Sequence, residues 1–205
     1  MQAVLGVIVS IIFILAYFPQ LKSLKNSLDI SGISTFFWML IALGTAITAS
    51  NLWEAHAVWF VFVPQYINST IALVILLWVA FKKYEGYGLW IVLMSYSFLI
   101  SIFAGHVENE VIQHWASIFI MMAYIEQIIH MIVKKTSEGI NYLLYVGFAT
   151  GLAIMVVNII TTGAPVSAAI TEGVNIIMMV IAIIVTIYLN KKNKKIALQN
   201  LVSMI

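Results

Sequence analysis

The chain of 205 residues is 63% hydrophobic and only 9% charged, and its formal net charge is +2. Soluble domains carry about 25% charged residues, so this composition excludes an ordinary water-soluble core and predicts that lipid covers most of the surface. All ten basic residues are lysines, and they form no interleaved basic-aromatic face, which argues against a nucleic-acid partner.

The signatures of common enzyme classes are missing from the sequence. It contains no cysteine, which excludes disulfides and thiolate metal sites, and it has no phosphate-binding glycine loop and no HExxH pattern. No Ser, His and Asp set can be placed as a catalytic triad. We therefore predict that the protein is not an enzyme and that it uses no cofactor and no metal ion.

Apolar runs of about 20 residues, the length that crosses a bilayer core of about 30 Å, recur along the chain. They cover residues 2–21, 35–53, 57–81, 87–105, 111–133, 143–162 and 165–189. The first run lacks a basic start and a cleavage site, so we interpret it as a mature span. The segments between the runs are too short for a soluble domain. The sequence thus predicts an all-α integral membrane protein with seven transmembrane helices.

The lysines predict the orientation of these spans. They follow only the first, third, fifth and seventh runs, at Lys22, Lys25, Lys82, Lys83, Lys134, Lys135, Lys191, Lys192, Lys194 and Lys195. With seven antiparallel spans, all of them lie on one face, which the positive-inside rule makes cytoplasmic. We therefore expect the N-terminus outside and the C-terminus inside, in the cytoplasmic membrane of a bacterium.

A shift of 107 residues aligns the first three runs with the last three without a gap. Polar identities at this constant offset are uncommon by chance, and they are Tyr17 with Tyr124, Gln20 with Gln127, Asn51 with Asn158, and Asn68 with Asn175. We interpret the pattern as two parallel three-helix repeats joined by a linker helix, an arrangement found in some transporters. The predicted boundaries are 1–83, 84–110 and 111–190, followed by a cytoplasmic tail at 191–205.

The end of the first run carries the most specific motif. Residues 16–21 read Ala-Tyr-Phe-Pro-Gln-Leu and are followed by a short basic loop and the small-residue turn Ser31-Gly32-Ile33-Ser34. This pattern, with the repeat, resembles the PQ-loop superfamily, which includes sugar transporters of the SWEET and SemiSWEET kind and exporters of the cystinosin kind. The resemblance covers the whole chain and implies a three-plus-one-plus-three transporter fold.

Proline and its neighbours in the motif are predicted to form a hinge and gate. Pro19 cannot donate a backbone N–H, and its ring kinks a helix. The resemblance implies a hinge at Pro19, with Tyr17 and Gln20 beside it and Tyr124 and Gln127 in the second repeat. The second repeat departs from the pattern because Glu126 replaces the proline. Pro64 can kink the third span.

Asn68 and Asn175 are predicted to lie near the bilayer midplane, about ten residues into their spans. The resemblance implies that they face each other across a cavity and bind the solute; an alternative role is interhelical hydrogen bonding. One turn before them, on the same helical face, come Gln65 and Glu172. A carboxylate within a span costs about 2.5 kcal/mol or more unless it faces water or a partner. Glu172 can therefore bind a solute ammonium or a proton, or lie near the outer surface.

Three further side chains are predicted near the outer ends of the second and sixth spans. Asn51 and Asn158 can contact the solute, a gate or a helix end. A SWEET-like sugar site is expected to have an aromatic residue here, and Trp53 is near. Its counterpart Ile160 is aliphatic, which weakens the assignment of a sugar.

Glu126 and His130 share one face of the fifth span because they are four residues apart. They can form a proton-sensitive pair at the inner gate, or both can reach the cytoplasmic interface. Together with Glu172 they are the candidates for proton coupling.

The predicted function is alternating-access transport of a small polar solute such as a sugar, an amino acid or a vitamin precursor. A receptor or sorting protein of the same fold is the second reading, although capture of a carboxylate normally uses arginines, which this chain lacks. A non-transporting structural membrane protein is the third. The predicted partners are the solute and the lipid bilayer, and a homo-oligomer is left open.

Cysteine labelling tests the predicted orientation without interference, since the chain has no cysteine of its own. Cysteines at Ser27 and Ser203 should react with an impermeant reagent only after the membrane is permeabilised. A cysteine at Asn109 should react in intact cells. Labelling of Asn109→Cys and Ser203→Cys from the same side would contradict the topology.

Overall fold

The computed structural model of the chain describes residues 2–54, 56, 59–84, 86–103, 109–162 and 166–202. Within those ranges, the structure describes only the backbone of residues 2, 3, 51, 52, 59–64, 103, 109, 110, 112, 113, 158, 159, 162, 166–169, 171, 197 and 200–202. The regular structure of the described part is all helical. Its helices are α1 (Gln2–Asn26), α2 (Thr35–Glu54), α3 (Trp59–Lys83), α4 (Tyr87–Phe103), α5 (Asn109–Lys134), α6 (Tyr142–Thr162) and α7 (Val166–Val202).

Each of the seven predicted apolar runs coincides with one helix. Over the described residues, four helices are long and apolar enough to cross a membrane, at Val4–Asn26, Gln65–Lys83, His114–Lys134 and Glu172–Ile196. The other three have shorter apolar stretches, at Thr35–Ser50, Tyr87–Ile102 and Tyr142–Val157. Helix α7 continues beyond the apolar run that ends at residue 189 and extends to Val202, within the predicted tail at 191–205. Lysine, alanine, leucine and glutamine in this segment are strong helix formers, which favours the extension.

The outward surface of α1 is apolar. Its exposed side chains Val4, Ile8, Ile11, Leu15 and Phe18 follow each other at intervals of three and four residues, so they form one stripe along the helix. A water-soluble protein places polar residues on such a face. The stripe is therefore suited to lipid, in agreement with a helical membrane protein.

The helices divide in chain order into α1–α3 and α5–α7, with α4 between them in the sequence. In the first helical set (α1–α3), α3 packs against both α1 and α2; in the second helical set (α5–α7), α7 packs against both α5 and α6. The two sets meet where α1 packs against α6 and where α2 packs against α5. The linker α4 contacts α2 and α3. Each of these pairs of packed helices within or between the sets thus corresponds to another pair under the 107-residue offset.

The turns before α2 and α6 begin these helices with matching caps. Ser34 Oγ accepts a hydrogen bond of 3.1 Å from the Phe37 N–H, and Asn141 Oδ1 accepts one of 3.0 Å from the Leu143 N–H. Such side chains satisfy N–H groups that the first helical turn leaves unpaired. Both caps lie at the same end of the bundle as all ten lysines, which we call the lysine-rich end.

Glycine allows close approach where the two sets cross. A Cβ atom on Gly44 of α2 would lie 2.8 Å from Ile120 Cγ1 of α5. A Cβ atom on Gly151 of α6 would lie 2.5 Å from Phe13 Cε1 of α1. Both members of the second contact are displaced by 107 residues from those of the first, since Gly44 corresponds to Gly151 and Phe13 to Ile120. Small residues at such crossings let helices approach closely in a membrane.

The α1–α6 crossing offers a test of this packing. A Cβ atom on Gly147 would lie 2.5 Å from the Ala16 Cβ, so Gly147→Ala overfills the interface and should destabilise the fold by about 1–3 kcal/mol. Gly173→Ala is the matched control because, outside its own helical turn, no atom of the described residues lies within 4 Å of its added methyl group. Thermal unfolding in detergent should show a lower midpoint for Gly147→Ala alone. Equal midpoints for the two variants would contradict the crossing.

Candidate functional site

A cavity of about 400 Å³ lies between the two helical sets. Its volume falls within the range of small-molecule sites, about 300–1,000 Å³. All six helices of the two sets line it, whereas α4 contributes no lining residue among those described. The cavity is therefore bounded by helices of both sets.

Most lining residues occur in pairs separated by 107 positions. These pairs are Phe13 with Ile120, Tyr17 with Tyr124, Phe37 with Leu144, Ile41 with Phe148, Thr45 with Leu152, Thr48 with Met155, Gln65 with Glu172, and Asn68 with Asn175. The offset that relates the sequence of the two sets thus also relates the two walls of one cavity. Several of these pairs differ chemically, so the two walls are unlike in polarity.

Aromatic rings form one apolar wall. Phe148 stacks on Phe13 with 5.1 Å between ring centroids and meets the Tyr17 ring edge-on at 5.1 Å. Tyr17 also lies 6.4 Å from the ring of Trp38, and both rings border the cavity. Contacts of this kind hold ring planes in fixed orientations. The sequence did not single out Phe13, Trp38 or Phe148, because an aromatic residue within an apolar run gives no signal of a cavity.

Asn68 is buried in the first helical set and is held by a tyrosine. The Tyr17 hydroxyl donates a hydrogen bond of 2.6 Å to Asn68 Oδ1, and both residues line the cavity. The sequence grouped Tyr17 and Tyr124 with the hinge and gate, whereas the structure places both in the cavity wall. Tyr17 thus fixes the direction of the amide that was predicted to meet the solute.

Asn175 is held differently in the second helical set. Its Nδ2 group donates a hydrogen bond of 3.1 Å to Glu172 Oε2, one helical turn away. The Asn175 side chain is only 5% exposed, and its Oδ1 atom has no hydrogen-bond partner among the residues that the structure describes. Glu172 lines the same cavity, which favours its predicted cavity position over the alternative at the outer surface. Among the described lining residues it is the only carboxylate, and none is a lysine, arginine or histidine.

Gln20 and Gln127 tie the two sets together at the lysine-rich end. Gln20 Nε2 donates to the Gly139 carbonyl at 2.9 Å, and its Oε1 accepts from the Asn141 N–H at 2.9 Å. Gln127 Nε2 donates to the Gly32 carbonyl at 2.8 Å, and its Oε1 accepts from the Ser34 N–H at 3.0 Å. Each glutamine thus binds the turn of the opposite set. We call these four bonds the glutamine ties.

Further contacts between the sets surround the glutamine ties. Ser23 Oγ donates to the Gly139 carbonyl at 3.0 Å, and His130 Nε2 lies 2.9 Å from the Ser31 carbonyl oxygen. A Cβ atom on Gly32 would lie 2.6 Å from the backbone of Glu138. The two turns are therefore in direct contact at the lysine-rich end.

The remaining predicted site residues lie away from the cavity or outside the described side chains. Glu126 does not line the cavity; its Oε2 atom is buried without a partner among the described residues. Trp53 is 66% exposed and is not a lining residue. Pro19 lies within continuous α1, where its carbonyl accepts a bond of 3.3 Å from Asn141 Nδ2. The side chains of Asn51, Asn158 and Pro64 are outside the described part of the structure.

Comparison with known proteins adds no relative: no protein-family model, curated protein or solved structure matches the chain. The residues themselves therefore carry the functional argument.

The glutamine ties can be tested by an isosteric change. Gln127→Glu keeps the acceptor for Ser34 but cannot donate to the Gly32 carbonyl, and it buries a charge at a side chain only 1% exposed. We expect a loss of about 2 kcal/mol or more in the free energy of unfolding. Gln199→Glu, at an exposed position of α7, is the control and should change little. Similar unfolding midpoints for both variants would show that the tie contributes nothing to stability.

Proposed function

We propose that the chain is a membrane transporter of the PQ-loop kind, which moves a small polar solute by alternating access. In this proposal all seven helices span the bilayer, and the two helical sets are parallel repeats joined by α4. The observation that carries it is the cavity, because residues at equivalent positions of both sets line it and the glutamine ties close one of its ends. Transporters built from parallel repeats bind their solute between the repeats, near the bilayer midplane.

The closure at the lysine-rich end is of a kind that can open. It consists of hydrogen bonds between side chains and turn backbones, together with contacts between two small turns. Water can replace such bonds at modest net cost when the turns separate. Rotation of one helical set against the other would part the turns and expose the cavity at this end. By the positive-inside rule, that end faces the cytoplasm.

Helices α1 and α5 are not equivalent as hinges in this proposal. Pro19 has no N–H to donate within α1, so α1 can bend at that point. Its counterpart Glu126 has an N–H and permits a regular helix. We therefore assign the larger bending to the first set. Proton coupling through Glu172, or through Glu126 and His130, remains a prediction.

Substitution of the paired asparagines tests transport directly. A solute is first found by thermal shift of the purified protein against sugars, amino acids and nucleosides, because a bound solute raises the unfolding midpoint. In proteoliposomes loaded with that solute, Asn68→Leu and Asn175→Leu should each reduce counterflow by about tenfold or more through loss of the amide bonds. Thr70→Leu on exposed α3 surface is the control. Unchanged counterflow in both asparagine variants would refute the site.

A reversible cross-link tests the movement of the turns. Ser31 and Glu138 belong to the two turns that touch at Gly32. Cysteines at both positions, joined by a short reducible cross-linker, should hold the lysine-rich end closed and stop counterflow. Reduction should restore it, and single-cysteine variants treated in the same way should remain active. Full counterflow in the cross-linked protein would contradict alternating access at this end.

A further inference from the structure

The two walls of the cavity present different hydrogen-bonding groups, although their residues are equivalent. On the first wall, Asn68 Oδ1 is occupied by the Tyr17 hydroxyl. On the second wall, a carboxylate can only accept hydrogen bonds, so it fixes the Asn175 amide with its nitrogen toward Glu172. The Asn175 Oδ1 atom then has no hydrogen-bond partner among the described residues, and the side chain is only 5% exposed. A buried carbonyl oxygen without a donor is costly, so a ligand that donates a hydrogen bond to it is favoured.

The carboxylate of Glu172 also favours a ligand that donates hydrogen bonds, and in particular one with a positive charge. Glu172 and the Asn175 oxygen are both acceptors, and among the described lining residues no basic side chain neutralises the carboxylate. A carboxylate within a span is stable only beside a partner or water. A positively charged group that also donates N–H bonds would satisfy the carboxylate and the Asn175 oxygen together.

Another part of the cavity wall is aromatic. Phe13, Tyr17, Trp38 and Phe148 line the cavity and are held in place by their mutual ring contacts. Ring faces attract cations and bury apolar ligand surface. The cavity thus combines an acidic acceptor wall with an aromatic wall, within about 400 Å³.

We propose that the cavity binds a small organic ammonium ion that carries at least one N–H on its charged nitrogen and an apolar or aromatic body. The N–H groups donate to Glu172 and to Asn175 Oδ1, and the body lies against Phe13 and Phe148. The inference deepens the proposed transport function and rests on it for the role of the site. Binding itself is measurable without transport, so the two claims can fail separately.

Anions and neutral solutes fit this site less well. A carboxylate or phosphate would face Glu172 with no basic residue among the described lining side chains to offset the repulsion. A neutral alcohol or sugar can donate to Asn175 but leaves the charge of Glu172 without a counter-charge. A quaternary ammonium supplies the charge but has no N–H for Asn175 Oδ1.

Three probes of similar shape separate these contributions: phenethylamine, 2-phenylethanol and phenethyltrimethylammonium. Their affinities for the purified full-length protein in detergent are measured by calorimetry and thermal shift at pH 7. Phenethylamine should bind about tenfold or more tightly than the alcohol, because it adds a charged hydrogen bond. It should also bind about fivefold more tightly than the quaternary ion, which cannot donate to Asn175. This comparison needs no variant and so does not depend on the folding of a mutant.

Variants then assign the effect to the wall. Glu172→Gln should weaken phenethylamine about tenfold or more and leave 2-phenylethanol nearly unchanged, since Gln65 already occupies the equivalent position. Glu54→Gln, an exposed carboxylate outside the cavity, is the matched control and should not change either affinity. Equal binding of amine and alcohol, or an amine affinity that Glu172→Gln does not change, would overturn the proposal.

Proteoliposome counterflow separates this inference from the proposed function. Counterflow of phenethylamine that Glu172→Gln reduces supports both. Binding of phenethylamine without counterflow would leave the ligand class standing and refute transport of it. Counterflow of a neutral solute that does not depend on Glu172 would support transport and overturn the ammonium class.

Discussion

The reciprocal hydrogen bonds of Gln20 and Gln127 are the interaction on which the rest of the structure depends. Backbone groups at a buried chain reversal must find partners, because no water reaches them there. Here the Gly32 carbonyl and Ser34 N–H of one turn are satisfied by Gln127, and the equivalent groups of the other turn by Gln20. Each turn thus depends on a glutamine of the opposite helical set to satisfy two of its backbone groups. The two sets are therefore joined at the lysine-rich end, and the cavity lies between them beyond the ties.

Residues at equivalent positions of the two helical sets differ in chemistry at several places. Close approaches at Gly44 and Gly151 occur at positions 107 residues apart, and most residues that line the cavity also occur in pairs at this offset. Single differences between equivalent positions then give each wall its own chemistry, as Gln65 and Glu172 do within the cavity. At the lysine-rich end, Lys83 Nζ bonds to the Ile33 carbonyl, whereas its counterpart Asn190 accepts a bond from Ser137. Equivalent positions of the two helical sets thus carry different hydrogen-bonding groups.

Much of this architecture could be predicted from the sequence, since helix length and the 107-residue offset both follow from simple residue patterns. The resemblance implied that Asn68 and Asn175 face one cavity, and helical spacing placed Gln65 and Glu172 on the same faces; all four residues line the cavity. What the sequence could not predict were contacts between the sets, because they depend on how two surfaces pack. Gln20 was predicted to lie beside a hinge. Its hydrogen-bond partners, Gly139 and Asn141, lie in the turn of the opposite set, 119 and 121 residues along the chain. Trp53 shows the converse, since an aromatic residue near a span end gives no information on the direction it faces, and here it is 66% exposed.

A distance distribution across the lysine-rich end tests the central claim most directly. Spin labels at Lys25 of α1 and Lys192 of α7, both exposed, report on the separation of the two helical sets in lipid nanodiscs. If the glutamine ties form an openable closure, double electron-electron resonance should show two populations, and Gln127→Glu should shift weight to the longer distance. A single distance in lipid, unchanged by Gln127→Glu and by added phenethylamine, would contradict the account of two sets that rock about the cavity.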